Sequence, residues 1–185
     1  VRSEAQWLIR AVENLLSITR MGDGQACITK NVEAAEEILG EAVRKFRKRY
    51  PEISVAVEPP GALLLVPMDP ILIEQVLANL MENAAVHGET TSRILISARP
   101  DGGFARFTVA DNGLGISPTV LPTLFDGTLK HSESAKGDGK RNMGLGLSVC
   151  MAIVRAHGGT MEAKNLTAGA EFSFRLPLLK EEAGR

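Results

Sequence analysis

The chain has 185 residues, 44% apolar and 23% charged, and a formal net charge of -1. That balance excludes a disordered segment, and the near-zero charge excludes a global field that would draw the protein to nucleic acid or to an anionic membrane. Two cysteines, Cys27 and Cys150, are too few for a disulfide scaffold or a thiolate cluster and point to a reducing, cytoplasmic setting. The longest apolar runs, such as "GALLLVPM", are far too short to span a bilayer, and no signal peptide is present. Because Val1 falls inside a helical pattern, the chain reads as a piece of something longer.

Residues 3–21 place Trp7, Leu8, Ala11, Val12, Leu15, Leu16 and Ile18 at helical spacing and predict an amphipathic helix, stopped by "MGDGQ". Residues 27–29 are a short candidate strand. Asn31 is placed to cap a second helix reaching about Arg49, with Val32, Ala35, Ile38, Leu39, Ala42, Val43 and Phe46 on one face. Its last turns carry Arg44, Lys45, Arg47, Lys48 and Arg49, which suit a solvated helix end facing the dipole or, alternatively, a docking surface. "ISVAVE" and "ALLLV" read as strands joined by Pro59, Pro60 and Gly61. "MDPILIEQVLANLMENAAVHG" is the strongest helix, with Asp69 as N-cap, Pro70 in the first turn and Gly88 as the stop.

"RILISAR" and "FARFTVA" form a hairpin through "PDGG". After "DNGLGI", Pro118 opens a short helix ending near Phe125. Residues 126–143 are polar and aperiodic, a loop long enough to be functional or mobile. "GLGLSVCMAIVRAHGG" predicts a helix from Gly144 to Gly158; "TMEAKN" and "AEFSFRLP" finish as strands before a charged tail. The expected fold is α+β: a two-layer sandwich of one mixed, mostly antiparallel sheet with helices on one face, preceded by one helix. The pattern does not suggest the regular βαβ repeat that a doubly wound fold needs.

Three motifs carry candidate chemistry. Asn79 and Asn83 lie four apart on the strongest helix, at the margin of the stripe formed by Ile73, Leu77, Leu80 and Ala84. Asparagine is a mediocre helix former, so the pair is either solvated or there to bind; a carboxamide oxygen is a hard, neutral ligand suited to Mg²⁺. Asp111 ends a strand in "DNGLGI", where it either caps its own turn or reads a donor such as an exocyclic amine. Gly113 and Gly115 permit a positive φ and close approach by a flat ligand. "GLGLSV", from Gly144, has two glycines at a helix start, which is either punctuation or an outward-facing set of N–H groups for an anion. "GDGK", at 137–140, lacks the earlier glycine and the following Ser or Thr of a phosphate-binding P-loop. His87, His131 and His157 share no metal-ligand spacing; His157 reads as a helix-end residue.

In order, "NLMENA", "DNGLGI", Phe125 in "LPTLFD", and "GLGL" resemble the N, G1, F and G2 boxes of sensor histidine kinases, members of the GHKL ATPase superfamily shared with DNA gyrase, MutL and heat-shock chaperones. The resemblance covers about residues 30–178. "WLIRAVENLLSITRM" resembles the end of the second dimerisation helix, and "DPILIEQVLANLMENA" and "AIVRAHGGTMEAKN" resemble the potassium-responsive KdpD-type kinases. The implied layout is the end of a dimerisation region over 1–24, an ATP-binding catalytic domain over 25–180 with a lid at 126–143, and a tail at 181–185. The implied ligands are ATP and Mg²⁺. Asp111 would bind the adenine amine, and Asn83 would hold Mg²⁺ with Asn79 beside it. Gly113, Gly115 and Ile116 would line the base pocket, with His87 near the adenine. Phe125 would stand at the lid's start, Lys130 would reach the phosphates, and Gly144, Leu145, Gly146 and Leu147 would lie under them.

The implied partners are the protein's own histidine-bearing dimerisation domain and a response regulator, in a membrane-anchored, homodimeric parent with this part in the cytoplasm. In the ATPase relatives a glutamate at position 79 activates water. Asn79 cannot act as that base, which favours transfer to a protein histidine over hydrolysis. Val86 stands where the family's lysine contacts phosphate, Thr128 stands at the second aromatic of the F box, and no histidine precedes His87. These departures keep open a second reading, a non-catalytic nucleotide-binding or docking module of the same fold.

Overall fold

The computed structural model describes residues 28–125 and 138–179, with backbone alone over 138–145. The predicted helix over 3–21 with its stop, Cys27, the segment 126–137 with Thr128 and Lys130, and the tail from 180 lie outside the described residues. Within them, strands β1 (Asn31–Ala34), β2 (Ser54–Glu58), β3 (Leu65–Met68), β4 (Arg93–Asp101), β5 (Phe104–Asp111), β6 (Thr160–Asn165) and β7 (Ala170–Pro177) alternate with helices α1 (Ala35–Arg49), α2 (Pro70–His87) and α3 (Asp138–Ala156). Among these residues no helix is long and apolar enough to cross a membrane.

The main sheet has five strands in the order β2-β4-β5-β7-β6, with β2 parallel to β4 and every other pair antiparallel. Beside it β1 and β3 form a two-stranded antiparallel ribbon. The expected single mixed sheet is therefore a five-stranded sheet plus a ribbon, and the strands flanking Pro59, Pro60 and Gly61 go to different sheets. The expected strand at 27–29 begins instead at Asn31, which pairs with Met68 and so caps no helix. Val32 accordingly lies in β1, half exposed, and not on the face of α1. That helix starts at Ala35 without a side-chain cap, its first N–H donating to Leu64 O at 2.9 Å.

Local chemistry fixes the other boundaries. Asp69 Oδ1 accepts from the Ile71 and Leu72 N–H groups at 3.1 and 3.2 Å, and Pro70 fills the first helical position, where no N–H is needed. Gly88 closes α2, its N–H donating to Ala84 O. β4 runs on through Pro100 and Asp101, so the hairpin turn is Gly102–Gly103 alone, with φ of 56° and 86° that only glycine adopts without strain. The expected helix after Pro118 is a single 3₁₀ turn at Leu121–Thr123.

The helices cover one face of the sheet. Alternate residues of β4, β5 and β7 face them: Ile94, Ile96 and Ala98; Ala105, Phe107 and Val109; Phe172, Phe174 and Leu176, all buried. The register sets Ala98, Phe107 and Phe174 in one row, the two rings stacked at 4.9 Å. The opposite face carries ion pairs such as Arg175–Glu162 at 2.9 Å and Arg106–Asp101 at 3.1 Å, each exposed enough to contribute at most about 1 kcal/mol. The basic end of α1 is taken up internally: Arg44 pairs with Glu41, Lys45 with Glu74 and Arg49 with Glu82, while Arg47 donates to Val55 O.

His157 does more than end a helix. It is buried, its ring accepts from the Asp69 N–H at Nε2 (3.0 Å), and Nδ1 donates to Ile153 O (2.7 Å). Both bonds need the neutral Nδ1–H tautomer, and the ring thereby ties the end of α3 to the start of α2. Desolvation lowers its pKa, with the Lys30 charge adding to the effect and the Ile153 carbonyl and Asp69 opposing it; burial also lowers that of His87. A lowered folded pKa means that the unfolded chain takes up the proton first as pH falls below about 6.5. Stability is thus fully present above that pH and falls below it, by up to about 1.4 kcal/mol per pH unit per histidine. Urea midpoints measured at pH 7.5, 6.5 and 5.5 should decline at the acid end, and His157→Gln should flatten its share of the slope.

Candidate functional site

α2 presents Asn79 and Asn83 toward α3. A Cβ placed on Gly146 would lie 3.9 Å from Asn83 Oδ1, and one turn along, the Cys150 thiol sits against Asn79 and Val76 O. Burial pushes that thiol up to about 12 against the pull of the Asn79 amide, so it is neutral and a poor acceptor. Among the described residues the Asn83 Nδ2 is buried with no hydrogen-bond partner, and the Asn79 Nδ2, also buried, has only the weak contact with the Cys150 thiol. A buried amide donor without an acceptor is costly, on the order of 1–3 kcal/mol, so this stretch of α2 would gain from acceptor atoms supplied from outside the chain. Glu82, one residue away, pairs with Arg49 at 2.6 Å and is directed off this face.

Asp111 ends β5 on the helix-facing side, paired with Ile94 and 8% exposed. Its Oδ1 accepts from the Gly113 N–H at 2.8 Å. The turn-capping role and the donor-reading role are therefore divided between two oxygens, since Oδ2 makes no hydrogen bond among the described residues. The following loop is tied to the closing residue of α2: Leu114 N–H donates to Gly88 O at 3.1 Å. Gly88 is five residues past Asn83, about 7.5 Å along the axis, so the aspartate loop and Asn83 share one end of the helix, with Asn79 one turn further in.

The glycines of this loop have a reason beyond the one expected. A Cβ on Gly113 would lie 2.5 Å from both Gly88 O and Thr91 Oγ1; one on Gly115, where φ is 80°, would lie 2.9 Å from Asn165 Oδ1 and 3.1 Å from Gly169 O. The chain's own backbone and side chains fill the space on the Cβ side of both glycines. Two clamps invisible to motif reading hold the loop. Asn112 Oδ1 accepts from the Ser92 and Arg93 N–H groups at 3.0 and 2.9 Å. Asn165, at the end of β6, accepts from the Ile116 N–H and donates to Ile116 O, both at 2.7 Å. A polar residue ending a strand beside a glycine-bearing turn was the only sequence signal for Asn165.

The remaining predicted residues divide. His87 is half-buried and kept neutral at pH 7 by desolvation, and Ile116 is buried near the loop. Phe125 is not brought to this end: with Met151, Arg155, Thr160 and Met161 it lines a pocket of about 200 Å³ at the opposite end of β6 from Asn165. α3 opens at Asp138, six residues before the predicted Gly144. The amides over 144–147 are therefore interior to a helix, bonded to carbonyls four residues back, and offer no bare N–H cradle. Gly144 and Leu145 are placed only by that backbone; Gly146 is buried facing Asn83; Leu147, 1% exposed, belongs to the core and not to a ligand surface.

The donor set suits a nucleotide with a divalent ion in one respect: a single amide oxygen, Asn83 Oδ1, is the hard neutral ligand that Mg²⁺ accepts when water and phosphate supply the rest. Among the described residues no cluster of three acidic, histidine or cysteine side chains could bind a metal unaided.

Comparison with known proteins gives the same direction. Residues 68–180 match the family described as histidine kinase-, DNA gyrase B-, and HSP90-like ATPase. The chain is 39% identical over 178 residues to the sensor protein KdpD of Clostridium acetobutylicum, an alignment covering 96% of this chain and 20% of that relative. The chain thus spans about a fifth of that relative's length. It is similar to the catalytic domain of the histidine kinase ThkA, with a TM-score of 0.66, 26% identity, and 80% and 95% of the two chains covered. It is also similar to full-length ShkA in complex with AMPPNP, with a TM-score of 0.74, 25% identity, and 96% and 37% covered.

Proposed function

The chain belongs to the histidine kinase-, DNA gyrase B- and HSP90-like ATPase family, and from that premise we propose that it binds Mg-ATP and passes the γ-phosphoryl to a histidine on a separate dimerisation domain, from which a response regulator takes it. The observation that carries this reading is the buried Asn83 amide, without a partner among the described residues, near the helix end to which the loop of the buried Asp111 is tied, with Asn79 one turn before it. Asp111 Oδ2 accepts from the exocyclic amine of adenine. The Asn79 and Asn83 amides donate to phosphate oxygens, and Asn83 Oδ1 holds Mg²⁺, which supplies neutralisation of the phosphate charge. His87, half-buried on the last turn of α2, would stand at the rim. The ShkA relative in complex with AMPPNP supports an adenine nucleotide in this fold.

Transfer and not hydrolysis is the proposed outcome for a structural reason. A water-activating base would have to sit where Asn79 is, and an amide takes no proton at neutral pH. The neighbouring carboxylate, Glu82, is held by Arg49. Val86 is exposed and uncharged, so α2 offers the phosphates no cation of its own and neutralisation falls to Mg²⁺ and to groups outside α2. In the parent protein, proposed to be a membrane-anchored homodimer, this domain acts on the cytoplasmic side. Mixing the chain with the separately purified histidine-bearing domain and γ-labelled ATP tests the reaction. Label on the histidine with little free phosphate is expected. Nucleotide binding without any label on that domain would make this a non-catalytic module, and rapid release of inorganic phosphate would make it an ATPase.

A further inference from the structure

Asp111 reads a base only if the loop that follows it is held still, and the structure shows what holds its far end. Three anchors fix 111–116. Gly88 O takes the Leu114 N–H, Asn112 ties back to Ser92 and Arg93, and Asn165 takes both backbone polar groups of Ile116 at 2.7 Å. The first two join the loop to neighbours of α2 and β4. The third is the sole anchor on the β7 side made by a side chain, among the described residues. It acts together with Gly169, whose missing side chain would run into the backbone carbonyl of Asp111 and lie 2.8 Å from its Oδ1. Asn165 is itself exposed, so its side chain adds little to the core. A carboxamide that spends both its polar ends on one residue's backbone fixes that residue's peptide plane as well as its position.

We infer that Asn165 is a positioning residue for Asp111: by clamping Ile116 it keeps Oδ2 aimed at the exocyclic amine of the purine, and so sets the preference for adenine over guanine. This rests on the nucleotide reading given above. Guanine offers a carbonyl where adenine offers the amine, and a carboxylate held rigidly opposite it meets an acceptor and repels it. A carboxylate on a loosened loop can turn away, which weakens ATP binding and relaxes the exclusion of GTP together.

The test is calorimetric titration of the 185-residue chain with Mg-ATP and Mg-GTP, for the wild type, Asn165→Ala and Asn165→Asp, with thermal unfolding of each. Loss of two hydrogen bonds predicts a roughly tenfold fall in ATP affinity for Asn165→Ala and a smaller loss for GTP, so the ATP:GTP ratio contracts. Asn165→Asp keeps the acceptor for the Ile116 N–H but sets a carboxylate against Ile116 O, and should recover only part of the ratio. An unchanged ratio, with either both affinities intact or both lowered in parallel, overturns the positioning role and leaves nucleotide binding standing. A wild type that binds no nucleotide overturns the functional reading itself, and this inference with it.

Discussion

Replacing Asp111 by Asn should lower Mg-ATP affinity about a hundredfold or more while leaving the fold in place. The substitution keeps Oδ1, so the 2.8 Å bond from the Gly113 N–H survives and the turn stays capped. It exchanges the carboxylate's second oxygen for an NH₂ that faces the amine of adenine donor to donor. A hydrogen bond to a charged group contributes roughly 1.5–3 kcal/mol, and a buried donor left facing a donor adds to the loss. Calorimetry gives the affinity, and a thermal scan should show a midpoint within about 3 °C of wild type, in keeping with a near-isosteric change at a retained cap. Equal affinities for the two proteins would remove Asp111 from the site.

The second large effect concerns stability. Phe107→Ala should destabilise the domain by about 3–5 kcal/mol. Phe107 is fully buried in the row formed with Ala98 and Phe174, its ring stacked on that of Phe174 at 4.9 Å with 5° between planes. It sits in the third strand of five, with strands paired on both sides, so the backbone has little freedom to collapse into the cavity. Domains of this size are stable by about 5–15 kcal/mol, so the loss is a large share of the total and would leave a protein near the low end of that range barely folded. Urea unfolding measures it directly, and Phe107→Leu should cost distinctly less. A loss below about 1 kcal/mol for the alanine variant would mean that the sheet's inner face is not the packed layer described above.

The parts of this architecture that were legible in the sequence are those whose causes are local. Asp69, Pro70 and Gly88 bound α2 by capping chemistry that spans a few residues, and "DGG" forces a hairpin wherever the flanking strands lie. The apolar periods of α1 from Ala35 onward were equally plain. What was not legible depends on distant partners. Nothing near "ISVAVE" says that it pairs in parallel with β4, while its neighbour β3 leaves to pair with β1. The start of α3 was misplaced because two glycines look like punctuation. Packing tolerates Gly146 inside the helix, where it faces Asn83. In the candidate site, residue types identified Asn79, Asn83 and Asp111. The clamps from Asn112 and Asn165 escaped notice because each joins a side chain to a backbone 19 to 49 residues away. Of the reasons for the glycines of "DNGLGI", the positive φ holds at Gly115 and not at Gly113, and what the sequence did not show is that a side chain on either would meet Thr91, Gly88, Asn165 or Gly169.

The central claim is that ATP enters between the two asparagines and Asp111. The side-chain amide resonances of Asn79 and Asn83 report on it most directly, because both Nδ2 groups are buried and find no oxygen or nitrogen acceptor among the described residues. In a titration with Mg-ATP followed by NMR, these resonances and the Gly113 amide should shift saturably and with one affinity, while the methyls of Met151 and Met161, beside Phe125 at the far pocket, stay in place. Shifts of the two methionine methyls with the asparagine amides unmoved would place the nucleotide elsewhere and contradict the account.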